Sequence, residues 1–127
     1  MKKIFLLGLF LSFQVDAFNI DKYYQQGFHY AVVPELKRRI IAGEHTNRLD
    51  KIISEIIINE GSEQFETLAT LRLESSSLAS MKYVAARKYL RSGRYRRTIE
   101  LLTSKNYESS SLFPYILFQL ASAYHLN

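Results

Sequence analysis

The sequence feature that most restricts the fold is a four-residue pattern that recurs 35 positions further along the chain. In both copies, successive members are three, one and three residues apart, and the last member is a tyrosine. Such spacings place side chains on one face of an α-helix. Recurrence at a period of about 20 to 50 residues is typical of proteins built from stacked structural units. The first copy is Lys82, Ala85, Ala86 and Tyr89, and the second is Leu117, Leu120, Ala121 and Tyr124.

A glycine and a second aromatic residue, Gly93 and Tyr95, lie between the two copies. With these residues in this order, the segment 79–127 resembles the tetratricopeptide repeat family, whose unit is about 34 residues long. The resemblance covers one full unit and the first helix of a second. It implies antiparallel helix hairpins stacked as a short right-handed solenoid. In that arrangement, Ala85 and Ala86 let a neighbouring helix approach closely, and Gly93 ends the first helix.

Four positions depart from the family pattern. Lys82 stands where a bulky apolar residue is usual, and Ser110 replaces the closing proline. Thr98 and Lys105 stand at positions where alanine is usual. The superfamily is therefore indicated, but the subfamily is left open. A bundle of about five or six helices is the alternative fold, because three or more repeats are normally needed to bury a continuous core.

The rest of the chain also shows helical spacing and no convincing run of period-two alternation, which predicts an all-α fold. Gly43, Gly61 and Gly93 are placed to end helices, and Pro114 suits the first turn of one. Ser75–Ser77 are interpreted as a break between helices. The predicted helices cover 34–42, then 47–61 with Asn47 as cap, a segment from Ser62, 78–92, a segment from Arg94, and the segment that carries the second copy.

The first 17 residues have the layout of a secretion signal. Lys2 and Lys3 precede an apolar run, Ile4–Phe13, and Val15 and Ala17 occupy the −3 and −1 positions of a cleavage site. We predict cleavage after Ala17 and a periplasmic or secreted protein. An uncleaved membrane anchor is the alternative, but such a short helical run rises only about 15 Å, roughly half the thickness of the hydrocarbon core.

The sequence therefore divides into three predicted regions. Residues 1–17 are the signal peptide, and residues 18–77 are an N-terminal helical region that forms either a cap or a degenerate repeat. Residues 78–127 are the repeat region, whose last repeat is incomplete. Solenoid ends normally carry a polar cap, so an incomplete repeat predicts either a longer protein or burial of the last helix by another chain.

The composition excludes several kinds of reaction and ligand, but it does not identify the one that this protein uses. The chain has 17 Lys and Arg against 12 Asp and Glu, a net charge of +5, which favours acidic partners, while export argues against nucleic acid. The absence of cysteine excludes disulfides and thiol chemistry. No histidine or carboxylate spacing suits a metal, and no motif frames a nucleophile. We therefore expect no enzymatic activity, no metal and no cofactor.

Basic residues concentrate on either side of Gly93, and no acidic residue lies between Glu74 and Glu100. Candidate ligands are an acidic peptide, anionic lipid headgroups or a carboxylate-bearing cell-wall polymer. The alternative is that these residues are only a solvated helix face. We refer to them as the basic cluster, which consists of Arg87, Lys88, Arg91, Arg94, Arg96 and Arg97.

The resemblance also implies a ligand-binding groove, lined by the first helix of each unit. Arginines in such a groove can form forked, charge-assisted hydrogen bonds to carboxylates, and aromatic side chains can act as apolar anchors. The implied groove residues are Tyr83, Arg87, Leu90 and Arg91 from the first unit, and Phe118, Gln119 and Ser122 from the second.

Three functions remain in competition at this point. The first is an extracytoplasmic scaffold or adaptor that binds a protein or peptide, with peripheral envelope contact as a further expectation. The second is the helical, noncatalytic region of a cell-envelope enzyme acting on peptidoglycan, similar to the superhelical region of soluble lytic transglycosylases. The third is a structural protein that forms a homo-oligomer through its C-terminal helix.

Overall fold

The computed structural model describes residues 20–68 and 78–127, which contain helices and no β-strand. The prediction of an all-α fold is confirmed. The predicted signal peptide, residues 1–17, and the predicted break at Ser75–Ser77 lie outside the described residues. The complete helices are α1 (Ile20–Gln25), α2 (His29–Ile41), α3 (Asn47–Glu60), α4 (Ala79–Arg91), α5 (Tyr95–Thr103) and α6 (Phe113–Leu126), with a 3₁₀ turn at Glu63–Phe65.

The chain divides into two compact units, residues 1–35 and residues 36–127. The division falls inside α2, whereas the predicted boundary after residue 77 lies outside the described residues. In the first unit, Gly27 separates α1 from α2 with a φ of 82°. The rings of Tyr23 and Phe28 lie 6.2 Å apart there, and Ile20 is buried. The sites considered below belong to the second unit.

Helix α2 begins earlier than predicted. The sequence places its start at Pro34, but the helix starts at His29 and carries Pro34 inside it. Val32, Leu36 and Ile40 are buried at intervals of four residues, whereas Pro34 is exposed. The buried stripe therefore continues through the proline, whose ring lies on the outer side, where a bent helix tolerates it better.

The predicted end of α2 is confirmed. Gly43 has a φ of 91°, a conformation that a side chain with a Cβ adopts at a cost. Its N–H donates to the Ile40 carbonyl at 3.0 Å, and the Glu44 N–H donates to the Arg39 carbonyl at 3.0 Å. These bonds pair carbonyl groups that the helix end would otherwise leave without donors.

Helix α3 is capped one residue before the predicted position. The hydroxyl of Thr46, and not the side chain of Asn47, accepts the Leu49 N–H at 3.2 Å. The predicted apolar stripe is confirmed, since all its members are buried. The helix also ends at Gly61 as predicted. The stripe consists of Leu49, Ile52, Ile53, Ile56 and Ile57.

A 3₁₀ turn stands where the sequence predicts a helix from Ser62. The turn is Glu63–Phe65, and residues 66–68 that follow are helical. Ser62 makes no capping bond, and its hydroxyl is buried with no hydrogen-bond partner in the described part of the chain. Phe65 and Leu68 are both buried, as predicted.

Helix α4 is the centre of the second unit. It packs against α3, α5 and α6, and α5 packs against α6. Every residue from Ala79 to Ala86 is buried, so the first half of α4 is covered on all sides. Gly93, with a φ of 79°, ends the helix close to the predicted residue.

Thr98 is a polar residue in the contact between α4 and α5. Its side chain is fully buried, and its hydroxyl lies 3.1 Å from the Ala86 carbonyl on α4 and 3.2 Å from the Arg94 carbonyl on its own helix. The hydroxyl proton is therefore satisfied at the point where α5 approaches α4 closely. A threonine is accommodated in this contact without an unpaired polar group.

Helix α6 begins with Pro114 in its first turn, as predicted. Its buried side consists of Ile116, Gln119 and Ala123. The recurring pattern, which suggests a stacking face, lies elsewhere on the helix, since Leu117 and Tyr124 are exposed. None of the helices in the described residues has both the length and the hydropathy needed to cross a bilayer.

Candidate functional site

Helix α6 carries several large apolar side chains in contact with solvent. Phe118 is 74% exposed and Tyr124 is 59% exposed. The helix contains no aspartate, glutamate, lysine or arginine in its 14 residues, so it has no charged group that would keep these side chains hydrated. We refer to the exposed residues as the α6 surface, which consists of Tyr115, Leu117, Phe118, Tyr124 and Leu126.

The same pattern on α4 shows how such a face can be covered. Ala85 and Ala86 have no exposed area, and the hydroxyl of Thr98 on α5 reaches the Ala86 carbonyl. The corresponding residues on α6 are Leu120, which is half-buried, and Ala121, which is exposed. No helix in the described residues covers that face of α6 as α5 covers α4.

The basic cluster lies where α4 ends and α5 begins. Arg94 and Arg97 both lie over the ring of Tyr89, with guanidinium carbons 5.2 Å and 5.9 Å from its centroid. These cation–π contacts hold the two arginines against the protein. Tyr89 is half-buried, so its ring is a support for the cluster as well as part of the packing.

Intramolecular ion pairs occupy only part of the basic cluster. The Arg91 guanidinium donates to the Glu66 carboxylate, and Arg97 donates to Glu100 at 3.2 Å. Arg87 and Arg96 are exposed, and neither forms an ion pair with another described residue. These two arginines are therefore available to an acidic partner.

The structure separates the predicted groove residues into two groups. Arg87, Arg91 and Phe118 are exposed, and Leu90 and Ser122 are half-buried. The hydroxyl of Ser122 donates to the Phe118 carbonyl at 2.9 Å. The other two, Tyr83 and Gln119, are 5% and 4% exposed and belong to the core. The family pattern assigns groove residues by their position in the repeat alone. It does not include the three helices that pack against α4, the helix in which Tyr83 is buried.

A polar cavity of about 510 Å³ lies in the second unit, and the sequence pattern does not reveal it. Its walls come from the start of α3, the first residue of α4 and the segment between α5 and α6. The sequence marks residues 106–111 only as a polar gap, because nothing local shows that they approach α3. The lining residues are Asn47, Asp50, Lys51, Ser54, Ala79, Lys105–Tyr107 and Ser109–Ser111.

Asp50 connects this cavity to the start of α4. One of its carboxylate oxygens accepts the Ser80 backbone N–H at 2.8 Å and the Ser80 hydroxyl at 2.5 Å. Leu78, the residue that precedes α4, has no capping side chain, so Asp50 supplies the cap from α3. A carboxylate at a helix N-terminus also interacts favourably with the helix dipole.

Lys82 is a buried lysine of α4 that is affected by the charge of Lys105, one of the residues that line the cavity. Only 8% of its surface is exposed, and burial lowers its pKa, with a further lowering by the positive charge of Lys105. Over residues 20–68 and 78–127, no three side chains of the types that bind metals are grouped together. The described residues present three candidate sites, namely the α6 surface, the basic cluster and the polar cavity.

No known protein family model, curated protein or solved structure matches this chain.

Proposed function

We propose that this protein is an extracytoplasmic scaffold or adaptor with a tetratricopeptide-like helical repeat, and that it binds a protein or peptide partner. The observation that carries the proposal is the α6 surface. Scattered exposed apolar residues are common on proteins, but several on one uncharged helix are typical of an interaction site. Covering them would release apolar area from water and stabilise a complex.

The packing of α4, α5 and α6 supports the repeat architecture within this proposal. The three helices contact one another pairwise, and α6 carries the pattern of α4 at an offset of 35 residues. A partner helix on α6 would then occupy the place that α5 occupies on α4.

Charge favours an acidic partner. Arg87 and Arg96 are exposed and form no ion pair with another described residue, and guanidinium groups form forked hydrogen bonds to carboxylates. Apolar contacts on α6 would supply affinity, and the basic cluster would supply selectivity and faster association.

The proposal is tested by using the full chain as bait in an envelope extract and quantifying the captured proteins by mass spectrometry. The double variant Leu117→Ser with Phe118→Ser should lose most of the specific capture. Ile41→Ser is the matched control, because Ile41 is 51% exposed on α2, outside the α6 surface. Equal capture by the wild-type chain and the double variant would rule out α6 as the binding surface.

The contribution of charge is tested separately. Arg87→Glu combined with Arg96→Glu should abolish capture of an acidic partner while circular dichroism shows unchanged helicity. Arg48→Glu, an exposed change at the start of α3, is the control for charge reversal outside the cluster. Loss of capture in both variants would show that net charge, and not the basic cluster, is responsible.

Self-association is the second candidate function that a specific observation favours. A second copy of the chain would bring an identical α6 surface, and twofold interfaces are self-complementary in this way. Tyr124→Asp should then convert an oligomer to a monomer in size-exclusion chromatography with light scattering. A wild-type chain that is monomeric at all concentrations would exclude this candidate.

A further inference from the structure

The polar cavity carries an excess of positive charge. Lys51 and Lys105 line it from two different segments, and neither forms an ion pair with a residue in the described ranges. Asp50 is the acidic residue in the described lining, and one of its oxygens is already engaged by Ser80. An anion between the two lysines would therefore meet two cations and one partly satisfied carboxylate.

The neutral groups of the cavity suit hydroxyl groups on a ligand. Ser109 and Ser111 line it, and no hydrogen bond to another described residue engages their side chains. The Asn106 side-chain carbonyl accepts the Glu108 N–H at 2.9 Å, which leaves its NH₂ group to donate. A ligand hydroxyl both donates and accepts hydrogen bonds. The serine hydroxyls and the side-chain amide of Asn47 also do both, so they can pair with such a ligand.

The size and polarity of the cavity favour a small, polar ligand. A volume of about 510 Å³ lies within the range of small-molecule sites. Ala79 and Tyr107 are the apolar and aromatic residues in the described lining and the others are polar or charged, so an apolar ligand would gain little by entering. The positive charge of Lys105 also acts on Lys82. Burial lowers the pKa of Lys82, and the charge of Lys105 lowers it further. The local potential thus favours an anion.

We propose that this cavity binds a monosaccharide-sized anion, with a carboxylate or phosphate group held by Lys51 and Lys105 and sugar hydroxyls held by the serine and asparagine side chains. The shared chemistry is an oxyanion carried on a polyhydroxylated ring. This site is separate from the α6 surface, so it stands or falls independently of the proposed scaffold function.

The proposal is tested by isothermal titration calorimetry on the full chain with four probes. Glucuronate supplies a carboxylate and glucose 6-phosphate a phosphate, whereas glucose has no charge and inorganic phosphate has no hydroxylated ring. We expect one saturable site for at least one of the two sugar anions, and its identity distinguishes the source of the oxyanion. Glucose should bind about tenfold or more weakly, because it lacks the charged group and hydrogen bonds to charged groups are the stronger ones. Inorganic phosphate should also bind about tenfold or more weakly, because it lacks the ring hydroxyls that the serine and asparagine side chains would hold.

Variants assign the site to the cavity. Lys51→Gln and Lys105→Gln should each weaken binding by about tenfold or more, whereas Lys37→Gln on α2 should not change it. Ser109→Ala with Ser111→Ala should weaken binding of the sugar anion and leave the weaker binding of inorganic phosphate unchanged. Both serines are exposed, so this variant should fold normally.

Three results would overturn the proposal. The first is the absence of saturable binding for both sugar anions. The second is inorganic phosphate binding as tightly as the sugar anions, since the serine and asparagine side chains would then have no role. The third is equal weakening by Lys37→Gln and the two cavity variants, which would indicate a diffuse effect of net charge.

Discussion

Helices α4 and α6 carry the same spacing of residues, yet their surroundings are opposite. In α4, Ala85 and Ala86 are completely buried beneath neighbouring helices. In α6, Ala121 is exposed and Tyr124 is 59% exposed. A periodic pattern determines which residues share a face of a helix, whereas the neighbouring helices determine whether that face is buried.

The two helices differ most clearly at the first position of the pattern. Lys82 on α4 is 8% exposed, while Leu117 on α6 is 48% exposed. The charged residue is therefore the buried one, and the apolar residue is in solvent. Lys82 can bury its aliphatic stem while its ammonium group stays near the surface. An exposed leucine has no charged end to keep in water, so its apolar side chain remains in contact with solvent. For this reason α6 is a better candidate than α4 for the helix that binds a partner.

The largest expected difference between the two helices concerns the small residues. Ala86→Leu should destabilise the protein by about 3 kcal/mol, because the added carbons have no room beside α5. Ala121→Leu is the matched change on α6 and should alter stability by no more than about 0.5 kcal/mol. Urea unfolding followed by circular dichroism measures both values. Similar effects at the two positions would contradict the difference in burial.

The start of each helix gives the second contrast. Asp50→Ala should cost about 2 kcal/mol, because α4 loses its cap and Ser80, which is fully buried, loses the acceptor of two hydrogen bonds. Asp50→Asn keeps an acceptor oxygen and should cost about half as much. Helix α6 begins with Pro114 and has no side-chain cap to lose. Thermal unfolding of both variants tests this order, and an Asn variant as unstable as the Ala variant would show that only the charge matters.

The smallest expected effect is at Lys82, and it depends on pH. Because burial lowers the pKa of Lys82, the folded state binds fewer protons than the unfolded state between that lowered pKa and the ordinary value of 10.5. The cost of the buried charge is fully present below the folded-state pKa and is lost as the pH rises towards 10.5. Lys82→Met should therefore stabilise the protein by about 0.5 kcal/mol below the folded-state pKa.

Urea midpoints measured from neutral to alkaline pH check this prediction. The advantage of Lys82→Met should shrink as the pH rises, because the wild-type lysine then becomes neutral. Leu117→Lys is the reciprocal variant, and it should change stability by no more than about 0.5 kcal/mol at any of these pH values. An advantage that grows with pH would show that the lysine gains stability from burial as a cation.

Local sequence chemistry predicted most of the helices. Glycines at the ends of α2, α3 and α4 were identified correctly, because a position with positive φ selects glycine whatever surrounds it. The predicted start of α2 was wrong, because the helix begins at His29 and continues through Pro34, with Val32 and Val33 buried. A proline considered in isolation does not reveal that the residues before it are helical.

The candidate sites were predictable to different degrees. Arg87, Arg91 and Phe118 are exposed, which the predicted groove required. Tyr83 and Gln119 are in the core and do not lie on an open groove. The family pattern assigns them to the groove by position alone, without information about the helices that surround them. The polar cavity was missed entirely, since Lys51 and Lys105 are far apart in sequence and no motif connects them.

Local patterns along the chain indicate that the described residues are helical, where several helices end, and which residues share each face. These properties depend on backbone conformation and on spacing along one helix, which are local. The tertiary structure decided that Lys82 is buried, that α6 exposes its apolar side, and that Asp50 caps a helix thirty residues away. Burial and long-range hydrogen bonds depend on which segments meet in space, and no single segment encodes that information.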